Sequence, residues 1–258
     1  MMVFITKVIT DRKYYLLGIV IIMAGWQALA TASHPLIVAS PLSTLKAFFG
    51  MLSNGELGRS LLVTLQRQLA GLALGVLTGT CLGVFGGIKA SLDGMIMPTI
   101  NAILATPSVI FVVIAMVWFG QGSTQVIFVT ALLVMPIMYL NSVKGIHSID
   151  HNLLQMVKVY RVPWKIRMLK LYLPGLLNGF IAGFSLSAAS SLRITIMAEL
   201  LGAQNGIGNA IFITRGYLET DKLFAWTLTL IMLVAIMESV VFNPLHKYVK
   251  KWQAEQVN

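Results

Sequence analysis

Residues 61–88 read LLVTLQRQLAGLALGVLTGTCLGVFGGI, and Arg67 is the only charged residue among them. About 20 consecutive apolar residues cross the hydrocarbon core of a bilayer as a helix, so this stretch predicts a membrane span. Gly71, Gly75, Gly79, Gly83 and Gly87 recur at every fourth position within it. That spacing places five glycines on one helix face, a helix-packing stripe along which a second helix can approach closely. The stretch points to an all-α integral membrane protein.

The rest of the chain has the same character. Its 258 residues are 57% hydrophobic and only 11% charged, with a mean hydropathy of +0.82. Soluble domains carry about 25% charged residues, so a water-soluble globule is excluded. No Gly/Ser-rich or Pro-rich linker and no internal repeat divides the sequence, which predicts one membrane domain over 1–258. The formal net charge is +10, but the cations flank apolar runs and gather on no polar domain, so nucleic acid is not an expected partner. The lone Cys81 excludes an intrachain disulfide and any cysteine-based metal site.

Working outward, five further runs are candidate spans: 15–32, 95–119, 124–143, 176–201 and 223–241, six in all. The first resembles a signal peptide in length, but no small-residue cleavage pattern follows it, and it reads as an anchor. Lys and Arg set the orientation. With a cytoplasmic N-terminus, the inside segments hold Lys7, Arg12, Lys13, Lys89, Lys144, five cations between 155 and 174, and Lys247, Lys250 and Lys251. The outside segments hold only Lys46, Arg59, Arg215 and Lys222. Both termini are therefore expected on the cytoplasmic side. Between the first two spans, SPLSTLKAFFGMLSNGEL (40–57) opens on Ser-Pro and places Leu42, Leu45, Phe48, Phe49 and Leu52 at helical spacing. It predicts a short helix, either at the outer interface or packed on the bundle.

The inside loop 144–175 is the most basic part of the chain. Within it, 155–174 reads QMVKVYRVPWKIRMLKLYLP. A short helix over 153–160, with Leu154, Val157 and Tyr160 on one side, is interrupted at Arg161-Val162-Pro163, because a residue before proline is pushed from helical geometry. Pro163 suits the first turn of a second helix. Pro174 and Gly175 are expected to break the chain before the fifth span. A helix–turn–helix of this kind fits a groove on another protein, or rests on anionic lipid.

The segment has a recognisable register: Gln155-Met156-Val157, three residues, Arg161, nine residues, Leu171, Tyr172, Leu173-Pro174. It resembles the cytoplasmic signature of the permease subunits of binding-protein-dependent ABC importers, which runs Glu-Ala-Ala, three residues, Gly, nine residues, Ile, one residue, Leu-Pro. The spacing agrees throughout, and the residues agree at the Leu-Pro end. Other marks of the nitrate, sulfonate and taurine branch follow in order: Trp26-Gln27, Ala39-Ser40-Pro41, Thr64-Leu65-Gln66-Arg67, Pro107 with Trp118-Phe119-Gly120, Ala198-Glu199, Gly206-Ile207-Gly208 and Thr220-Asp221.

The resemblance implies a permease in a bacterial inner membrane, with short cytoplasmic coupling helices between spans four and five. Two copies, a homodimer, would form the pathway for a small, possibly anionic solute delivered by an external binding protein. Each copy would dock on one of two ATPase subunits through Gln155, Met156, Val157, Tyr160, Arg161, Val162, Pro163, Leu173 and Pro174. No GxxxxGK[ST] phosphate loop occurs in the chain, so ATP and Mg would be bound by the partner ATPases and the chain itself is not an enzyme. Where the family has Gly, this chain has Arg161. A positive φ there costs a side-chain-bearing residue roughly 1 kcal/mol, unless Pro163 shapes the turn differently.

Ionisable groups within spans suggest function by default. Arg193 and Glu199 lie in the fifth span, and Glu238 in the sixth. With Ser187, Ser191 and Thr195, the first two make the fifth span the candidate pathway helix, and Arg193 would favour an anion. The alternative is that Arg193 and Glu199 are interface groups or pair with neighbours. His34, His147, His151 and His246 are scattered, and no metal-ligand or catalytic spacing occurs. An ion-coupled secondary transporter or channel is the competing class. It would call for broken helices or inverted repeats.

Overall fold

The computed structural model describes residues 2–237, with the side chains of residue 14 and of 17–237. Glu238, the end of the sixth run, and Lys247, Lys250 and Lys251 lie outside the described residues. The described residues form helices throughout: α1 (Met2–Ala32), α2 (Pro41–Ser53), α3 (Glu56–Ile88), α4 (Ala90–Ala105), α5 (Ser108–Phe119), α6 (Ser123–His147), α7 (His151–Val159), α8 (Trp164–Arg167), a π-helical turn (Met168–Tyr172), α9 (Leu173–Gly202), α10 (Ile207–Gly216) and α11 (Thr220–Met237). They divide into two compact units, 2–58 with 211–230, and 59–210 with 231–237.

In the first unit, Ser40 caps α2 by accepting a hydrogen bond from the Ser43 amide at 3.1 Å, and Pro41 occupies the first turn, where its missing N–H costs nothing. Leu42, Leu45, Phe49 and Leu52 are exposed on this helix while Thr44 and Met51 are buried. Its apolar stripe therefore faces outward, the orientation of a helix at an interface. Trp26 Nε1 donates to the Ala39 carbonyl at 2.9 Å and stacks on Phe224 with ring centroids 5.8 Å apart. Thr220 Oγ1 donates to the Leu36 carbonyl at 2.8 Å. The loop before α2 is thus held at two of its carbonyls by residues distant in sequence.

In the second unit, α6 is the central post. Its buried Val126 and Val129 pack with Val112 and Ala115 of α5 and Ala198 of α9. Val134 and Met138 pack with Leu72 of α3 and Ala188 of α9. Tyr139 and Val143 pack with Ile100 of α4, and the Tyr139 hydroxyl donates to Asp93 Oδ1 at 2.7 Å. The glycine stripe of α3 lies directly on α6. A Cβ added at Gly71 would come within 2.6 Å of Thr130 Cβ, at Gly75 within 2.7 Å of Val134, at Gly83 within 2.6 Å of Ser142, at Gly87 within 2.7 Å of Ile146, and at Gly79 it would meet the Met135 carbonyl. Lipid is as apolar as a side chain, so helices in a membrane gain chiefly from such close packing.

Among the described residues, four helices are long and apolar enough to cross a membrane: 56–88, 123–147, the continuous run 164–202, and 220–237. The described apolar part of α1, Leu17–Ala32, is shorter. The expected third span, 95–119, is not one helix. It breaks into α4 and α5 with a bend of 100°. Thr106 takes an extended conformation (φ −82°, ψ 132°) before Pro107, because the proline ring excludes helical geometry from the residue before it. Counted as one, this pair makes a fifth span candidate. A second correction concerns Pro174. The chain does not break there: Leu173 is helical, the π-helical turn runs straight into α9, and Pro174 sits in the first turn of that helix. A proline needs one missing hydrogen bond, and a π turn already re-registers the ladder at that point.

Candidate functional site

The helix–turn–helix after α6 is built as follows. Asp150 caps α7, its carboxylate accepting from the Asn152 amide at 2.8 Å. At the other end, the Val162 amide donates to the Val157 carbonyl at 3.1 Å and the Arg161 amide to the Lys158 carbonyl at 3.2 Å. This pair of bonds is a Schellman stop, in which the residue after the C-cap takes the left-handed conformation. That residue is Arg161, with φ +48°. The turn is therefore of the glycine type, and Arg161 bears its strain. Pro163 follows with extended geometry (φ −57°, ψ 144°) and precedes α8. Met156, Val159, Tyr160 and Trp164 are all exposed on this element, as are Gln155 and Arg161, while Val157 and Val162 are half-buried.

On α9 the structure separates residues that the sequence groups together. Ser187, Ser191, Thr195 and Glu199 stand four apart on one face, and all are buried. Ser191 Oγ accepts from Gln68 Nε2 of α3 at 3.2 Å, and Thr195 bonds Thr130 of α6 at 3.0 Å. Ser187 Oγ has no hydrogen-bond partner among the described residues. Arg193, two residues on from Ser191, projects from the opposite, exposed face.

Glu199 anchors a network that the sequence reading did not assemble. Its carboxylate accepts from Arg67 Nη1 at 2.9 Å, from Thr64 Oγ1 at 2.8 Å and from the Gly208 amide at 3.1 Å. Arg67 also donates from Nη1 to the Asn205 carbonyl at 2.8 Å, from Nη2 to Asn205 Oδ1, and from Nε to Ser123 Oγ at 3.0 Å. Thr64 Oγ1 in turn accepts from the Ile207 amide at 2.9 Å. The side chains of Arg67 and Glu199 are 5% and 0% exposed. A buried carboxylate demands a paired charge and further hydrogen bonds, and Glu199 has both: one bond from the guanidinium and two from neutral donors. The glycines of Gly206-Ile207-Gly208 make room for it. Gly206 has φ +99°, and a Cβ on it would fall on the Glu199 carboxylate. The start of α10 thus presents the Gly208 amide to an anion, as helix N-termini favour. The cue available in sequence was a lone acid within a span facing few possible cations, Arg67 among them.

Such a bundle, with a satisfied ion pair inside and an amphipathic basic element between spans, defines a multi-pass membrane protein. The family model described as "Binding-protein-dependent transport system inner membrane component" matches residues 75–251, and the chain belongs to that family. It is 25% identical over 235 residues, 90% of this chain and 85% of the relative, to the putative aliphatic sulfonates transport permease protein of Bacillus subtilis (strain 168). It is 28% identical over 242 residues, 92% and 88%, to the riboflavin transport system permease protein of Chloroflexus aurantiacus. Relatives named as taurine and nitrate permeases match as well, which places the chain in that branch of ATP-driven importer permeases. Its fold resembles that of a crystallised amino acid ABC transporter, with a TM-score of 0.60 at 14% identity over 81% of this chain and 98% of the other.

Proposed function

We propose that this permease forms the translocation pathway as two identical copies, that each copy docks on a separate ATPase subunit through 153–174, and that an external binding protein delivers a small anionic solute. ATP and Mg belong to the ATPase in this reading. Both termini face the cytoplasm, and the bent α4–α5 pair serves as the third of six spans. Lys89 at one end of that pair and the uncharged Gly120–Gly122 turn at the other agree with the cation bias along the chain. The exposed, basic helix–turn–helix with its glycine-type stop at Arg161 supports the docking role.

The observation that carries the solute class is the position of Arg193. It lies exposed on α9, nine residues before the helix ends at Gly202. A guanidinium facing hydrocarbon at the middle of a helix costs about 3 kcal/mol, so its surroundings are water, a partner copy or solute. An aqueous pathway between two copies provides all three. A positive group there attracts anions, in line with the sulfonate relative.

Uptake into proteoliposomes holding the assembled importer tests this. Arg193→Ala is expected to lower uptake of an anionic solute at least about tenfold, with Arg193→Lys restoring most of it. Unchanged anion uptake would sink the anionic reading and favour a neutral, aromatic solute, as the riboflavin relative suggests. Retention of an ATPase subunit on purification tests the coupling reading independently.

A further inference from the structure

We propose that residues 164–173 form a lipid-binding strip that lies on the anionic surface of the bilayer. α8, the π-helical turn and α9 are one continuous helical run from Trp164 to Gly202. On its first turns Ile166, Leu169 and Leu173 are 45%, 66% and 52% exposed. All three lie on the exposed side of the run, with half-buried residues between them, so they form a single apolar stripe. Lys165 and Lys170, next in sequence to Ile166 and Leu169, are also exposed and border that stripe. The opposite side turns inward: Arg167, Met168, Leu171 and Tyr172 are half-buried. There the Arg167 guanidinium sits 5.5 Å from the Trp164 ring centre, and Trp164 and Tyr172 lie 6.0 Å apart.

An apolar stripe flanked by lysines fits the boundary between acyl chains and headgroups. Leucine and isoleucine enter the apolar side, while lysine stems lie along it and lift their ammonium groups to the phosphates. Charge argues for anionic headgroups. From His151 to Ala198 there is no acidic residue, whereas Lys158, Arg161, Lys165, Arg167, Lys170 and Arg193 all occur there. Continuity argues for lipid over a protein groove. The same face runs on through the exposed Leu177 into the membrane-crossing part of the helix. Within the 153–174 segment the Arg161 turn thereby divides the element: α7 and the turn make the protein contact, and the run after Pro163, which ties them to the membrane-crossing helix, rests its exposed face on lipid. This inference does not depend on the solute or on ATPase docking.

The test uses the full chain with Cys81→Ser and Leu169→Cys, carrying a nitroxide at position 169. It is placed in nanodiscs of phosphatidylcholine alone, or of equal parts phosphatidylcholine and phosphatidylglycerol. In the anionic discs the label is expected to collide with oxygen, which partitions into lipid, and to be shielded from an aqueous nickel chelate. In the neutral discs, and in the Lys165→Gln/Lys170→Gln double variant, accessibility moves toward the chelate. Each lysine near an anionic surface is worth about fivefold in the on–off equilibrium, so the double variant shifts it about 25-fold. Equal access to the chelate in both lipids would overturn the proposal. So would protection from both reagents, which marks a protein contact, or shielding that arises only when the ATPase subunit is added.

Discussion

The guanidinium of Arg67 on α3 meets the carboxylate of Glu199 on α9 at 2.9 Å, with both side chains buried. Around them Thr64, Ser123, Asn205 and the Gly208 amide complete the hydrogen bonding. One ion pair therefore joins α3, the start of α6, the end of α9 and the start of α10. Breaking a buried pair by removing one partner costs roughly 3–5 kcal/mol, because it strands the other charge, while replacing both by apolar groups is often nearly neutral. Arg67→Ala and Glu199→Ala are each expected to lower the melting temperature of the detergent-solubilised chain sharply. Arg67→Met/Glu199→Leu should recover much of the loss. Additive losses in the double variant would show that the two residues act separately.

The α3–α6 contact leaves no space for side chains. Gly79→Val would drive a methyl-bearing carbon into the Met135 carbonyl, and overpacking of this kind costs roughly 1–3 kcal/mol. Gly94 on α4 has nothing within 4 Å of an added Cβ, so Gly94→Ala is expected to be neutral or slightly stabilising. Thermal denaturation of the two variants, side by side, checks the contrast.

Arg161 adopts φ +48° at a position that glycine fills at no steric cost. Arg161→Gly should stabilise the stop of α7 by roughly 1 kcal/mol, seen as about fivefold slower hydrogen exchange at the amides of Arg161 and Val162. Arg161→Val should speed that exchange. An Arg161→Gly variant with faster exchange would mean that the arginine side chain itself supports the turn.

Trp26 and Thr220 hold the loop before α2 by its Ala39 and Leu36 carbonyls. Trp26→Phe keeps a ring to stack on Phe224 and removes only the hydrogen bond. Thr220→Val keeps the shape and does the same at Leu36. Each is expected to cost about 1 kcal/mol, read as a fall in the melting temperature, and no fall in either would show that these bonds are replaced by water.

The membrane class, the all-helical fold, the glycine stripe and the helix–turn–helix were legible in the sequence, because each depends on composition or on spacing within one helix. The shape of the third apolar run was not. Hydropathy over 95–119 is continuous, and a single local restriction at Thr106–Pro107 bends it by 100°. The break expected at Pro174 fails for a related reason: a proline stops a helix only where the ladder has no other slack, and the π turn before it supplies that slack. The polar residues of the fifth run carried a different ambiguity. A serine or a charge within a span looks the same in sequence whether it faces a pathway or a neighbouring helix. Arg193 and Glu199 differ only in which side of α9 they occupy.

The sequence by itself determined that this chain spans a membrane as helices, and placed the motifs Trp26-Gln27, Thr64–Arg67, Ala198-Glu199, Gly206–Gly208 and Thr220-Asp221 in order along it. Only the tertiary structure decided which of them meet. Trp26 reaches Ala39 and Thr220 reaches Leu36, while Arg67, Glu199 and Gly208 close one buried network. The physical reason is the cost of leaving charge and hydrogen-bonding groups unpaired away from water. That cost is greatest for the buried charges, Arg67 and Glu199, and which partner each finds is a matter of packing across helices.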